Sequence, residues 1–308
     1  MNICPDQDSQ ATEARSGPVG SLWLWAIVGI LTVALYVLAG NAEEVEHAGR
    51  SAFRWMVREW GTPGGQYSHG WLIPVISVVA LWRQRKALVE APKAVWWPAV
   101  LLLVAGLAGY WMGLKAQQTR VVLASFPLVV GAIPAFVLGR ATGRLLLFPC
   151  AYLFFCVPLM FIDAIAFPLR LLAGGIAETV LSGIGIPVQR TGTAIATLSG
   201  KGFNIDVADP CSGLHSLMAM AALGAAYAFF FHRRPAARWL MFVASLPIAV
   251  AGNVVRVISI ALAAAWFGQE AAMSFYHDYS GYVLFGAAVI MMMGLSALVA
   301  RWLEGAKS

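Results

Sequence analysis

The chain has 308 residues, of which 60% are hydrophobic and only 12% charged, with a formal net charge of +6. Soluble domains carry about 25% charged residues, so this composition excludes an ordinary soluble enzyme and takes the lipid bilayer as its solvent. The positive balance excludes a nucleic-acid partner as well, because the basic residues sit in short clusters between apolar runs, a pattern of membrane topology.

Residues 1–20 form a polar tail in which Asp6, Asp8 and Glu13 face Arg15 alone. A secretory signal starts with a positive region and an apolar stretch of about 7–15 residues; Leu22–Ala39 is longer than that. Gly40-Asn41-Ala42 has the form of a small-x-small cleavage site, but an uncleaved first span is expected. A crossing needs about 20 apolar residues. Eight spans are predicted, near residues 21–39, 68–82, 95–114, 121–139, 145–162, 213–231, 239–262 and 280–300. The second is short and borrows length from Tyr67-Ser68-His69-Gly70-Trp71, with Trp71 and Trp82 as interfacial anchors.

Positive charge in short loops marks the cytoplasmic side. Arg83, Arg85, Lys86 and Lys93 crowd one such loop and Arg233, Arg234 and Arg238 another, whereas 263–279 has no Lys or Arg. Both termini are therefore expected in the cytoplasm. Between the first two spans, Arg50, Arg54 and Arg58 recur every four residues with Phe53, Met56, Val57 and Trp60 between them. This is an amphipathic helix, read either as lying on the membrane or as an ordinary solvated helix.

The insert at 163–210 is the most informative outer segment. Its apolar first part is interrupted by Pro168, Arg170, Gly174-Gly175 and Glu178, and reads as a re-entrant or interfacial helix. Thr191–Leu198 and Phe203–Val207 then alternate around Ser199-Gly200-Lys201-Gly202, which predicts a β-hairpin. An open hairpin has unpaired edges that lipid cannot satisfy, so it belongs outside the bilayer. The fold class is therefore an all-α polytopic membrane protein with about eight transmembrane helices and a small extracytoplasmic β-hairpin insert. One membrane domain covers 21–303, with cytoplasmic tails at 1–20 and 304–308.

Chemistry gathers on the outer side. Four cysteines in a chain this long make no disulfide scaffold. Cys150 and Cys156 read as small buried hydrophobes. Cys211 follows Asp209, a suitable N-cap, and Pro210, a suitable first helical residue. The partial positive charge of a helix start favours a thiolate, which is the nucleophilic form. Arg256 stands in an otherwise apolar span, where a charge costs at least about 2.5–3.5 kcal/mol and marks a partner or a polar cavity. Asn253 lies one turn earlier on the same face. His277 and Asp278 precede the last span, and a His near neutrality beside a cysteine serves as base and then acid. His215 is a rival base, four residues after Cys211 on one helix face; His69 is a weaker one. No Gly-x-Ser-x-Gly or His-Glu-x-x-His motif occurs, and the His and Cys residues lack ligand spacing, so no cofactor and no metal are expected.

Pro210-Cys211-Ser212-Gly213-Leu214, Asn253-Val254-Val255-Arg256 and His277-Asp278, with Tyr67-Ser68-His69-Gly70 and Pro74 upstream, resemble the exosortase/archaeosortase family, bacterial exosortases in particular, over about residues 20–300. The resemblance implies a cysteine peptidase/transpeptidase of the inner membrane with its active site on the periplasmic side. It implies Cys211, Arg256 and His277 as catalytic residues, with Asp278, Asn253, His215 and Ser212 as supporting or alternative ones. The position of His215 is often Arg in the family, which keeps a local Cys211–His215 pair open. The implied partners are exported proteins bearing a C-terminal sorting signal: a Pro-Glu-Pro-like motif, a transmembrane helix and a basic cluster, in systems tied to exopolysaccharide production. Membrane lipid is the other partner. The hairpin is expected to hold the extended substrate motif by strand addition. A non-enzymatic transporter or assembly subunit of an envelope glycan system, with Arg256 lining a polar path, is the alternative.

Overall fold

The computed structural model describes residues 22–42, 49–62, 67–158, 161–198, 203–206, 213–272 and 277–304. The chain divides into two compact units. The first holds the chain up to Arg58 together with Ser77–Val157, and the second holds Glu59–Ile76 together with the chain from Pro158 onward.

The first unit contains the apolar helices α1 (Leu22–Ala39), α5 (Ala99–Lys115), α6 (Thr119–Leu138) and α7 (Arg140–Tyr152). Helix α2 (Ala52–Gly61) precedes a single 3-10 turn at Ser68–Trp71, and α3 (Leu72–Arg83) and α4 (Arg85–Glu90) follow it. Lipid tails offer no hydrophobic drive between helices, so close approach depends on small residues. The α5–α6 hairpin shows this: a Cβ at Gly106 would stand 2.7 Å from Val129 Cγ2, and one at Gly113 would stand 2.7 Å from Val122 Cγ2. Polar bonds tie α1 to the same pair. The Tyr36 hydroxyl lies 2.6 Å from Ser125 Oγ, and the Tyr110 hydroxyl donates to the Ala39 carbonyl at 2.9 Å.

The amphipathic helix is present as α2. Ala52, Trp55, Met56 and Trp60 are buried, so its apolar face is taken up by protein, which favours the solvated reading over a helix lying on lipid. Other apolar side chains face outward: Leu101 is 75% exposed, Trp239 66% and Ile290 70%. That outward apolar surface suits lipid contact. Among the described residues, α6 and α10 (Pro235–Phe267) are each long and apolar enough to cross a membrane alone.

The second predicted span is short, as expected, and the fifth ends earlier than expected. The second is a 3-10 turn followed by the 12-residue α3, below the length of about 17 residues that a crossing needs. The fifth stops as an α-helix at Tyr152, passes through a 3-10 turn at Leu153–Cys156 and becomes extended at Val157 (φ −89°, ψ 124°). The cause is Pro158, which disfavours helical backbone in the residue before it. The helix expected over 164–186 is present. Helix α8 (Phe161–Gly183) runs for 23 residues straight through Pro168 and the two glycines.

In the second unit, α9 (Gly213–Phe231), α10 and α12 (His277–Val299) pack on one another, α8 packs on α10, and the short turn α11 (Gln269–Ala271) follows α10. The sheet has three antiparallel strands in the order β1 (Val188–Thr191), β2 (Ala194–Thr197), β3 (Asn204–Asp206). The predicted hairpin around the Gly-rich turn is the β2–β3 pair. Strand β1 went unread because the alternation from Thr191 onward looked continuous. Gly192, at φ +63°, instead opens a two-residue turn that pairs Thr191 with Ala194. The sheet buries Val188, Ile195 and the adjoining Phe203 against Ala177 and Leu181 of α8 and Val257, Ile260 and Ala264 of α10. It therefore sits on the C-terminal end of α10.

Gly224 of α9 fixes the helix spacing. A Cβ there would come within 2.5 Å of both Cβ and Oγ of Ser245 on α10. Gly224→Ala is expected to destabilise the protein by about 1–3 kcal/mol through overpacking, read as a lowered melting temperature in detergent, and Ser245→Gly in the same chain should restore most of the loss.

Candidate active site at the helix ends

The site residues are placed by the register of three helices. Gly224 lies against Ser245, and Met220, Ala228, Met241 and Ala249 share one buried cluster with Ala288 and Met292 of α12. In the antiparallel α9–α10 pair, counting back from Gly224 to Gly213 matches counting on from Ser245 to Arg256. Both steps are eleven residues, about 16 Å of helix rise. The first residue of α9 is therefore level with Arg256.

Helix α12 runs parallel to α9. Met292 Cε would lie 3.6 Å from a Cβ at Gly224, and the buried His232 Nε2 lies 3.0 Å from Ser296 Oγ. Extending these contacts along both helices brings His277, the first residue of α12, within about one turn of the level of Gly213. The backbone thus brings the starts of α9 and α12 to the height of Arg256. His215 lies in the first turn of α9 and Asp278 in the first turn of α12. Cys211 and Ser212 lie outside the described residues. Cys211 is two residues from Gly213 in sequence, and two residues of chain span at most about 7 Å.

Asn253 and Arg256 occupy successive turns of α10. Asn253 is buried, and among the described residues no donor reaches its buried Oδ1. Arg256 is half-buried with its Nε withdrawn from the surface, and its carbonyl accepts from Ser259 Oγ at 2.9 Å. A buried amide oxygen without a partner costs about 1–3 kcal/mol. A buried amide beside a guanidinium in an apolar helix supplies an oriented dipole and a fixed cation where solvent is scarce, which is the equipment for stabilising a developing anion.

Two polar clasps hold the sheet, toward the C-terminal end of α10 and beyond the level of Arg256. Glu178 of α8 accepts from the Arg190 backbone N–H at 3.1 Å and pairs with its Nε at 3.4 Å, while Arg190 Nη1 donates to the Gly192 carbonyl at 2.8 Å. At the opposite edge, the amide of Gln269 accepts from the Asn204 N–H at 3.1 Å and donates to its carbonyl at 3.0 Å. Glu178 carried a signal, being an acid in an apolar run, but its partner twelve residues away did not. Each contact takes up backbone groups of a single residue on an outer edge of the sheet, Arg190 on β1 and Asn204 on β3. The Tyr67–Trp71 stretch is explained locally. A Cβ on Gly70 would run into the indole of Trp60, and the Trp60 and Trp71 rings meet edge to face at 5.3 Å.

Asn253 gives a clean test. An apolar residue of similar size removes an unsatisfied group, so Asn253→Leu is expected to leave the melting temperature unchanged or raised. Processing of a tail-bearing precursor should fall by about tenfold or more as the site loses its alignment; unchanged processing would make Asn253 a packing residue.

No curated protein and no solved structure matches the chain. A family model described as transmembrane exosortase (Exosortase_EpsH) matches residues 55–294. That match begins within α2, ends within α12 and takes in Cys211, Asn253, Arg256 and His277, so the chain is a membrane protein that belongs to the transmembrane exosortase family.

Proposed function

We propose that this exosortase is a cysteine transpeptidase that cleaves the C-terminal sorting tail of exported proteins at the outer face of the inner membrane. The observation that carries the reading is the common level of Gly213, Arg256 and His277 in the packed α9–α10–α12 bundle. Counted along the helices, Gly213 and His277 fall within about one turn of the height of Arg256, and Cys211 is two residues before Gly213 in the sequence, which supports this reading. The cytoplasmic placing of both termini, the membrane domain over 21–303 and the link to exopolysaccharide-associated sorting belong to the same proposal.

In this mechanism the Cys211 thiolate, favoured by the start of α9, attacks the scissile carbonyl beside the Pro-Glu-Pro-like motif. The C–N bond breaks as a thioester forms. His277 hands its proton to the leaving amine, and the tail departs with its transmembrane helix. His277 then takes a proton from the acceptor, which attacks the thioester and frees the thiolate. Arg256 faces the negative charge on the tetrahedral oxygen in both steps. Asn253, Asp278 and Ser212 support the arrangement, and His215 is the competing base.

The test is co-expression of a reporter carrying such a tail with single variants. Cys211→Ala and His277→Ala are expected to leave full-length precursor. Arg256→Ala should slow processing by about 10²–10³-fold, the effect of losing one oxyanion-stabilising group. His215→Ala should process normally. Processing by Cys211→Ala would remove the nucleophile, and a dead His215→Ala with an active His277→Ala would move the base into α9.

A further inference from the structure

The chain reaches Cys211 from β3, so whatever holds β3 sets where the nucleophile segment begins. At its start β3 is held by apolar contact, with Phe203 only 2% exposed against the end of α10. One residue on, it is held by a side chain that imitates a strand. Gln269 Oε1 takes the Asn204 N–H at 3.1 Å, and Gln269 Nε2 gives to the Asn204 carbonyl at 3.0 Å. A single glutamine thus completes the outer edge of β3 as a neighbouring strand would.

Gln269 is set in place by the end of α10. Gly268 adopts φ +90°, a backbone state that favours glycine, and its N–H still bonds to the Ala264 carbonyl at 3.1 Å. The next turn closes through Ala272 N–H to the Gly268 carbonyl at 3.1 Å. The amide is therefore delivered from the same helix that carries Asn253 and Arg256.

The dimensions make this anchor consequential. From Arg256 to Phe267 is about 16 Å of helix rise, whereas the seven residues from Asp206 to Gly213 reach at most about 25 Å. Chain length alone therefore does not fix where Cys211 falls, and the placing of β3 is what the described fold adds.

Resting on the reading of Cys211 as the nucleophile, we propose that Gln269 is a positioning residue that registers the Cys211 segment against Arg256 by clamping the edge of β3 to the end of α10. The clamp is not a major source of global stability. Its bonds are solvent-exposed, and the sheet is separately held by its apolar core and by the Glu178–Arg190 clasp. Losing it frees β3 and the segment after it while the helices stay packed.

The experiment uses the full-length protein in lipid nanodiscs, comparing wild type with Gln269→Ala, Gln269→Glu and Cys211→Ala. Three quantities are measured: kcat and KM on a synthetic tail peptide, the pH profile of iodoacetamide alkylation at Cys211 by peptide mass, and the melting temperature. Gln269→Ala is expected to lose about tenfold or more in kcat, as a misplaced reacting group does, with KM little changed. The Cys211 alkylation midpoint should move to higher pH as the thiol leaves its fixed place at the helix start, while the melting temperature holds. Gln269→Glu keeps one acceptor and loses the donor, so it should fall between wild type and Gln269→Ala. Wild-type kcat with an unchanged alkylation profile overturns the role of Gln269, as does a loss that only follows a lowered melting temperature. An active Cys211→Ala overturns the nucleophile and this inference with it. An inactive Cys211→Ala beside a wild-type-like Gln269→Ala overturns this inference alone.

Discussion

The arrangement depends on one close approach, that of the Gly224 backbone to Ser245. Inside a bilayer, apolar surfaces gain nothing by leaving lipid for one another, so helices register where small residues allow backbones to meet. Helix α9 is rich in such positions, with Ala221, Ala222, Ala226 and Ala228 buried around Gly224. Once that contact is set, rigid helix geometry sets the rest. Eleven residues in each direction bring Gly213 level with Arg256, and the Met292 and Ser296 contacts bring the start of α12 to the same height. Packing near the middle of the bundle thereby controls the spacing of groups about 16 Å away.

The polar groups follow a division of labour. Glu178 with Arg190, and Gln269 with the Asn204 backbone, meet their hydrogen-bonding needs and tie a three-stranded sheet to helix ends. Asn253 keeps a buried oxygen with no donor among the described residues. Natural sequences break local rules chiefly at functional or strained sites. The clasps are satisfied supports of the sheet, whereas Asn253 stands one turn before Arg256 on α10.

Much of this was legible in the sequence, and the failures have physical causes. Helix α9 matches its expected range of 213–231 because an unbroken apolar run bounded by Arg233 and Arg234 admits one reading. The β2–β3 hairpin was legible from period-two alternation around a Gly-rich turn. Strand β1 was hidden because a two-residue turn at Gly192 disturbs the alternation very little. Pro168 interrupts the apolar run but not the helix, since one lost backbone bond does not end a helix whose Ala173, Ala177 and Leu181 are fully buried. Pro158 did end the run, because Val157 before it is extended. Cys211, Arg256 and His277 were legible as residue types in suggestive settings. The contact of Gln269 with Asn204 was not, because a side-chain amide that meets a strand has no sequence signature until that strand is placed.

The level relation of the starts of α9 and α12 to Arg256 of α10 is the feature on which the proposed chemistry rests, and oxidative cross-linking tests it most directly. A cysteine introduced as His277→Cys would be offered to the native Cys211 under mild oxidation, beside a second variant, Met292→Cys, that lies level with Gly224, about 22 Å further along α12. Disulfides form only where Cα atoms come within about 7 Å. The expected result is a linked 211–277 peptide by mass spectrometry and no 211–292 link. A 211–292 link with none at 277 would mean a different helix register, and the convergence of Cys211, Arg256 and His277 would be lost with it.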